Sequence, residues 1–125
     1  MLYAVLCYND QSITTAWSKE KDDKVMADLM AVQGKKAAVG KLGPVARLAP
    51  TTGAKTLRKT NGKPVVLDGP FAETKEQFLG FYVVDCADMD EAMAFVGELA
   101  VANPGTGAFE VRPIDVFFPS TLKAA

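Results

Sequence analysis

Two segments of the sequence are apolar at nearly every position, and they limit the possible fold more than any other feature. Residues 2–8 and 78–84 are rich in aromatic and β-branched side chains, and both are short enough to be strands. Alternate side chains of a strand point to opposite faces of its sheet, so a strand without a polar face must be covered on both sides. We therefore predict that both segments are central strands.

Two other segments show the spacing of amphipathic helices. Residues 19–36 follow a candidate N-cap, Ser18, and carry an apolar stripe of Val25, Leu29 and Val32, with Met26 and Met30 beside it. A second helix follows Asp88, with Glu91 in the capping-box position, and ends at residues 103–105. Its predicted buried stripe consists of Met89, Ala92, Phe95, Val96, Leu99 and Ala100.

Shorter strands are predicted at residues 45–49, 55–59 and 64–67, and a last strand at 109–118. Asn61-Gly62 lies between two of them and predicts a tight type I′ hairpin. The element order is then β-α-β-(ββ)-β-α-β, which indicates an α+β fold of the ferredoxin-like α/β sandwich type. We expect a single domain over residues 1–119 and a frayed tail at 120–125.

The composition excludes several classes of function. The formal net charge of −1, with acids and bases interspersed, argues against a nucleic-acid-binding surface. We expect no membrane segment or signal peptide, because no apolar run is long enough and the first residues lack a basic leader. Cys7 and Cys86 lie in apolar runs, which favours buried thiols in the cytoplasm over a disulfide. Since the chain has no histidine, we expect no metal site, and we expect no cofactor.

The stretch from Asp68 to Glu76, Asp-Gly-Pro-Phe-Ala-Glu-Thr-Lys-Glu, combines a stiff turn with an aromatic residue and four charges. We expect Phe71 to fill a core position while the charged side chains project. Two interpretations remain open: a simple connection with a solvated tip, or a rigid rim of a pocket. In the second, the candidate ligand-binding residues are Asp68, Glu73, Lys75, Glu76, Tyr82 and Arg112. Arg112 could instead form a cross-strand ion pair, and Tyr82 could simply pack in the core.

The same stretch, followed by Gly80-Phe81-Tyr82 and by Glu110-Val111-Arg112-Pro113, resembles the DGPF family of the YCII-related superfamily. The resemblance covers nearly the whole chain and implies a dimeric α/β barrel, in which the sheet of a ferredoxin-like protomer packs against that of its mate. It also implies an accessory or regulatory role in bacteria, with an extracytoplasmic-function sigma factor as a candidate partner. YCII-type relatives are discussed as candidate enzymes because of a histidine-aspartate dyad. This chain has Asp68 but no histidine, so a dyad mechanism cannot be transferred to it.

Three functions follow from these observations. The first is a homodimer that binds a small polar or anionic molecule near the motif, where Lys75 and Arg112 would attract negative charge. The second is an enzyme of the dimeric α/β-barrel type, with Asp68 as the catalytic carboxylate base, or Glu73 in its place. The third is an interaction module for a sigma factor. The absence of histidine favours binding over catalysis. Dimerisation is expected independently, because two helices can cover only one face of so apolar a sheet.

Overall fold

The computed structural model describes residues 1–123 and contains six strands and three α-helices in that range. Strands β1, β2, β5 and β6 form one antiparallel sheet in the order β2-β5-β1-β6, and β3 and β4 form a separate hairpin. In chain order the elements are β1 (Leu2–Asn9), α1 (Gln11–Thr14), α2 (Lys19–Ala38), β2 (Leu42–Arg47), β3 (Lys55–Arg58), β4 (Val65–Asp68), β5 (Gln77–Asp85), α3 (Met89–Ala102) and β6 (Ala108–Pro113).

The predicted α+β class is confirmed, and the antiparallel strand order with its two longer helices is compatible with a ferredoxin-like sandwich. β1 and β5 are the two central strands, as their apolar sequences predict. They pair along their whole length, with a register shift between Cys7 and Tyr8 that leaves Leu79 of β5 as the extra residue of a bulge. The sheet of the single chain does not close on itself within the described residues, and the barrel and the dimer remain predictions.

Both long helices begin at the predicted caps. The Ser18 side chain accepts a hydrogen bond from the backbone N–H of Lys21 at 3.1 Å, and α2 starts at the next residue. Asp88 accepts from the N–H of Glu91 at 2.9 Å, while the Glu91 carboxylate accepts in return from the N–H of Ala87. This reciprocal pair resembles a capping box, except that Glu91 bonds the amide of the residue before the N-cap and not that of the N-cap itself.

One face of the sheet packs against α2 and α3 and holds the core. On this face Tyr3 and Val5 of β1 are paired with Val84 and Tyr82 of β5. The buried residues of α3 that pack against them are Ala92, Phe95, Val96 and Leu99. Met89 and Ala100, which were predicted to belong to the same stripe, are exposed. Both lie at the margins of the stripe, where a helix leaves the sheet that it covers.

The opposite face carries the alternate side chains of the same strands. Leu6 pairs with Phe81, and Ala4 pairs with Val83, so these four residues share a face that points away from both helices. Glu110 pairs with Leu6, and it therefore lies on this face as well. Its β6 neighbours Phe109 and Val111 pack against the core on the helix side, as the sequence predicts.

The β3–β4 hairpin differs from its prediction in its turn and in the position of Phe71. Residues 59–64 connect the strands, and Gly62 but not Asn61 has a positive φ, whereas a type I′ turn requires both. Phe71 does not fill a core position, because its side chain is 71% exposed. It packs instead against Arg58, whose guanidinium carbon lies 4.9 Å from the centre of the ring.

The remaining differences concern the ends of elements. β2 begins at Leu42, earlier than predicted, and β6 ends at Pro113 although a strand to residue 118 was expected. A proline has no N–H to donate, and the next amide, that of Ile114, makes the last bond to β1 through Leu2 O at 2.9 Å. Residues 114–123 contain no helix or strand. Residues 124 and 125 of the predicted tail lie outside the described part of the chain.

Candidate functional site

The charged side chains of the Asp68–Glu76 stretch lie on the surface. The Asp68 side chain is 91% exposed, and its nearest cationic partner is Lys55, with 3.7 Å between Nζ and Oδ1. Glu73, Lys75 and Glu76 are exposed as well. A carboxylate that acts as a general base at neutral pH is normally withdrawn from water, because burial raises its pKa. Asp68 and Glu73 have no such surroundings in the single chain.

Tyr82 and Arg112, the other two predicted site residues, lie on opposite faces of the sheet. Tyr82 is buried on the helix side, edge-on to Phe95 with 5.9 Å between ring centres. Arg112 pairs with Ala4, so its side chain belongs to the face that points away from the helices. The two side chains therefore cannot line one pocket within a single chain, and Tyr82 adopts the core-packing role that was its alternative interpretation.

The structure contains a cavity of about 410 Å³ at a different place, between the helix side of the sheet and α2. Its volume lies within the range of about 300–1,000 Å³ that is usual for small-molecule sites. α1, the end of α3 and the loop that leads into β6 complete its walls. The apolar part of the lining includes Trp17, Val25, Met26, Leu29, Val96 and Phe109.

Uncharged polar groups gather at the end of this cavity where β1 meets the α3–β6 loop. Asn9 is only 5% exposed, and its Oδ1 accepts hydrogen bonds from Asp10 N at 2.8 Å and Thr106 Oγ1 at 3.1 Å. Asn103 also lines the cavity, and its Oδ1 is buried without a hydrogen-bond partner among the described residues. Such an unpaired buried acceptor is uncommon in folded proteins, because it has lost its bonds to water.

Gln11 ties the rim of the cavity to Thr51 through its side chain and to the motif stretch through its backbone N–H. Its side-chain amide donates to Thr51 Oγ1 at 2.5 Å and accepts from Thr51 N at 3.1 Å. The backbone N–H of Gln11 donates to Gln77 Oε1 at 2.9 Å, and Gln77 Nε2 donates to the carbonyl of Thr74 at 2.6 Å. The end of the motif stretch is thus hydrogen-bonded to the cavity rim, although its charged side chains point into solvent.

The chemically reactive groups of the cavity are held in their neutral forms. Burial raises the pKa of the Cys7 thiol to about 12, so the thiolate is scarce at neutral pH. Burial also raises the pKa of Tyr82 to about 12, and its hydroxyl remains a hydrogen-bond donor and acceptor. The ionised side chains in the lining, Asp22 and Arg47, pair with each other at 3.2 Å. The cavity is therefore suited to binding an uncharged molecule.

Comparison with known proteins identifies the family of this chain. The family model of the YCII-related domain matches residues 1–117, which is most of the chain. The chain belongs to the YCII-related domain family. It is also 63% identical over 122 residues to an uncharacterized protein of Rhizobium meliloti (strain 1021), and the match covers 98% of both chains. The resemblance to the YCII-related superfamily is confirmed, whereas the finer assignment to the DGPF family remains a prediction.

The cavity of this YCII-related chain could not be located from the sequence, because its lining comes from residues as far apart as 7 and 109. Two local signals do mark it. Asn9 is a polar residue at the end of an otherwise apolar strand, and Gly105-Thr106-Gly107 forms a turn before the last strand. Both glycines of that turn have positive φ, which places the Thr106 hydroxyl against Asn9.

The described residues contain no helix of the length and apolar character that a membrane span requires.

Proposed function

We propose that this YCII-related protein binds a small, uncharged and largely apolar molecule in the cavity between the sheet and α2. The observation that carries the proposal is about 410 Å³ of space with a largely apolar lining, which includes Trp17, Met26, Leu29 and Phe109. A bound ligand would occupy this apolar space. The expected site of a polar or anionic ligand at the motif has weaker support, because Asp68 and Lys75 lie open to solvent.

A binding role has more support than catalysis. An enzyme with Asp68 or Glu73 as carboxylate base would need one of them in a desolvated cleft, and both are exposed. Within the cavity, the thiol of Cys7 and the hydroxyl of Tyr82 stay protonated at neutral pH, since each has a pKa of about 12. Neither is therefore a ready nucleophile or base.

A thermal-shift screen with matched variants tests the proposal. Met26 and Ala27 are neighbours on α2, but only Met26 lines the cavity, while Ala27 is exposed. We expect at least one uncharged compound to raise the melting temperature of the wild type, since a ligand that binds only the folded state stabilises it. Met26→Trp should abolish this shift by filling the cavity, and Ala27→Trp should keep it. A shift that persists in Met26→Trp, or the absence of any stabilising compound, would contradict the proposal.

We further propose that the protein acts as a homodimer through the sheet face that points away from the helices. Leu6, Ala4 and Phe81 are half-buried on this face, and burial of their remaining apolar surface favours association. Sedimentation should show a dimer at micromolar concentration. Leu6→Glu should shift it to a monomer, whereas Met93→Glu, on an exposed position of α3, should not. Wild-type protein that sediments as a monomer would refute this assembly.

The sigma-factor partnership stays a separate prediction. Co-purification of an extracytoplasmic-function sigma factor with the tagged protein is its direct test.

A further inference from the structure

We propose that the segment after β6, residues 114–123, docks in a second copy of the chain on the hairpin face that carries Leu57 and Val66. This inference rests on the proposed homodimer, because the partner subunit supplies the docking segment. It goes beyond dimerisation through the sheet, since it assigns a role to two parts of the chain that belong neither to the sheet nor to the cavity.

The β3–β4 hairpin presents an apolar face to solvent. Leu57 pairs with Val66, so their side chains lie next to each other on one face, where they are 60% and 61% exposed. Arg58, which contacts the ring of Phe71, belongs to the opposite face, because neighbouring residues of a strand alternate. A two-stranded hairpin is at best marginally stable in water unless another element covers it. The face of Leu57 and Val66 is therefore suited to receive such an element.

The segment after β6 has exposed apolar side chains of its own. Residues 115–123 are all exposed and contain no helix or strand. The side chain of Phe118 is 84% exposed and that of Leu122 is 90% exposed. Burial of side chains of this size against another apolar surface is favourable, because it removes them from water.

The hairpin and this segment lie at opposite ends of the four-stranded sheet. β6 ends at Pro113, which pairs with Tyr3 near the start of β1. The hairpin leads into β5 at Gln77, which pairs with Asn9 at the end of β1. About 20 Å of strand separates these two levels. When two sheets face each other across a two-fold axis perpendicular to their strands, each is turned end for end, and residues 114–123 of one copy leave its sheet beside the hairpin of the other.

The charges of the two parts are complementary. Residues 114–122 carry a single charge, that of Asp115. Residues 55–67 contain no acid and four cations, which are Lys55, Arg58, Lys59 and Lys63. Opposite charges on the two surfaces favour this pairing and disfavour the contact of one hairpin with another.

The docking also adds area that the sheet face alone does not supply. A stable dimer buries about 800 Å² on each partner. Leu6, Ala4 and Phe81 of the sheet face are already half-buried in the single chain. An aromatic residue such as Phe118 buries about 150–250 Å², and the hairpin face that receives it loses a similar area to the contact.

Cross-linking between two singly substituted copies tests the docking. Lys59 lies two positions after Leu57, and both Lys59 and Ser120 are exposed. Lys59→Cys and Ser120→Cys proteins are mixed, allowed to exchange subunits and treated with a short bismaleimide. We expect peptide mass spectrometry to find a link between positions 59 and 120, which in this mixture can form only between copies. The control pair, Ala94→Cys on the exposed surface of α3 with Ser120→Cys, should give no such link.

Sedimentation of exposed-residue variants provides a second readout. Phe118→Ser should raise the dissociation constant of the dimer at least about tenfold, because it removes the largest side chain of the contact. Leu57→Ser should weaken the dimer as well, and the double variant should lose less than the sum of the two effects, since the residues contact each other. Val101→Ser changes an equally exposed residue of α3 and should leave the dissociation constant unchanged.

The outcomes separate this docking from the homodimer itself. A wild-type monomer would remove both. A dimer that withstands Phe118→Ser and yields no link between positions 59 and 120 would overturn the docking alone. In a chain that carries both cysteines, a link that forms without covalent dimers would show that each hairpin is covered by its own chain, which also contradicts the proposal. Binding of the wild type to anionic phosphatidylglycerol vesicles that Leu57→Ser abolishes, with the dimer unaffected, would assign the hairpin to a lipid surface instead.

Discussion

Thr106 Oγ1 donates a hydrogen bond to Asn9 Oδ1 over 3.1 Å, and this bond joins residues 97 positions apart in the chain. It holds the α3–β6 loop against the end of β1 and so closes one end of the cavity. The loop can approach this closely because the next residue is Gly107, at φ +122°. The shape of the cavity therefore depends on a backbone conformation that other residues rarely adopt.

Gly107→Ala should destabilise the protein more than Gly105→Ala. Both glycines have positive φ, so alanine at either position costs about 1–3 kcal/mol of strain. Only at position 107 would the new Cβ meet neighbouring atoms, 2.9 Å from Tyr8 O, whereas nothing lies within 4 Å at position 105. We expect the difference to be at least about 1 kcal/mol in urea unfolding. If the two substitutions lowered the free energy of unfolding equally, the loop would be able to move away from Asn9.

Phe71→Ala should have little effect on stability, although the residue lies in the most distinctive motif of the sequence. Its ring is largely exposed and contacts Arg58, an interaction worth about 0.5–1 kcal/mol at an exposed site. Phe95→Ala is the matched comparison, because that ring is 2% exposed and its loss should cost about 3–5 kcal/mol. If Phe71→Ala lowered stability as much as Phe95→Ala, the ring of Phe71 would have to be buried in solution, which it is not in the single chain.

The contrast between Phe71 and the helix caps indicates how far the sequence determines this structure. Ser18, Asp88 and Glu91 were predicted correctly because a cap bonds to amides only a few residues away. Phe71 was assigned wrongly because its burial depends on where the hairpin lies relative to the sheet, which local pattern does not encode. The central strands were recognised because apolar residues on both faces allow no other position.

The cavity could not be predicted for the same reason as Phe71. Asn9 and Asn103 become neighbours of one space only after α2 and α3 pack on the sheet. The sequence instead drew attention to Asp68 and Lys75, whose charges are conspicuous but lie in solvent. A buried asparagine at the end of an apolar strand is a weaker sequence signal than a charged motif, yet it marks the polar end of the cavity.

Glu91→Gln should destabilise the protein at neutral pH, and the difference should shrink in acid. The N–H of Ala87 and the ammonium of Lys36, at 3.3 Å, hold the pKa of the Glu91 carboxyl below its usual value of 4.5. A lowered pKa in the folded state contributes stability above pH 4.5, and that stability is lost as the pH falls through the lowered value. Glutamine can still serve in the capping box, so the substitution removes mainly the charge.

Urea unfolding of wild type and Glu91→Gln between pH 7 and pH 3 measures this effect. Glu98→Gln is the control, because its ion pair with Lys35 is exposed and contributes little. A difference between wild type and Glu91→Gln that grew toward low pH would contradict the assigned charge interaction.

The thiol of Cys7 should react slowly with iodoacetamide at pH 8. A ligand bound in the cavity should lower this reaction rate further. Its pKa of about 12 leaves few thiolates at this pH, whereas an unfolded cysteine has a pKa near 8.5. We expect the folded protein to be alkylated at Cys7 at least about a hundredfold more slowly than the urea-unfolded chain, as measured by peptide mass spectrometry. Cys86 is buried but does not line the cavity, so a bound ligand should slow the reaction of Cys7 alone.

A reaction rate at Cys7 that levels off near pH 9 would disprove the raised pKa. If the ligand slowed the alkylation of both cysteines, it would be stabilising the whole fold and would not show occupancy of the cavity.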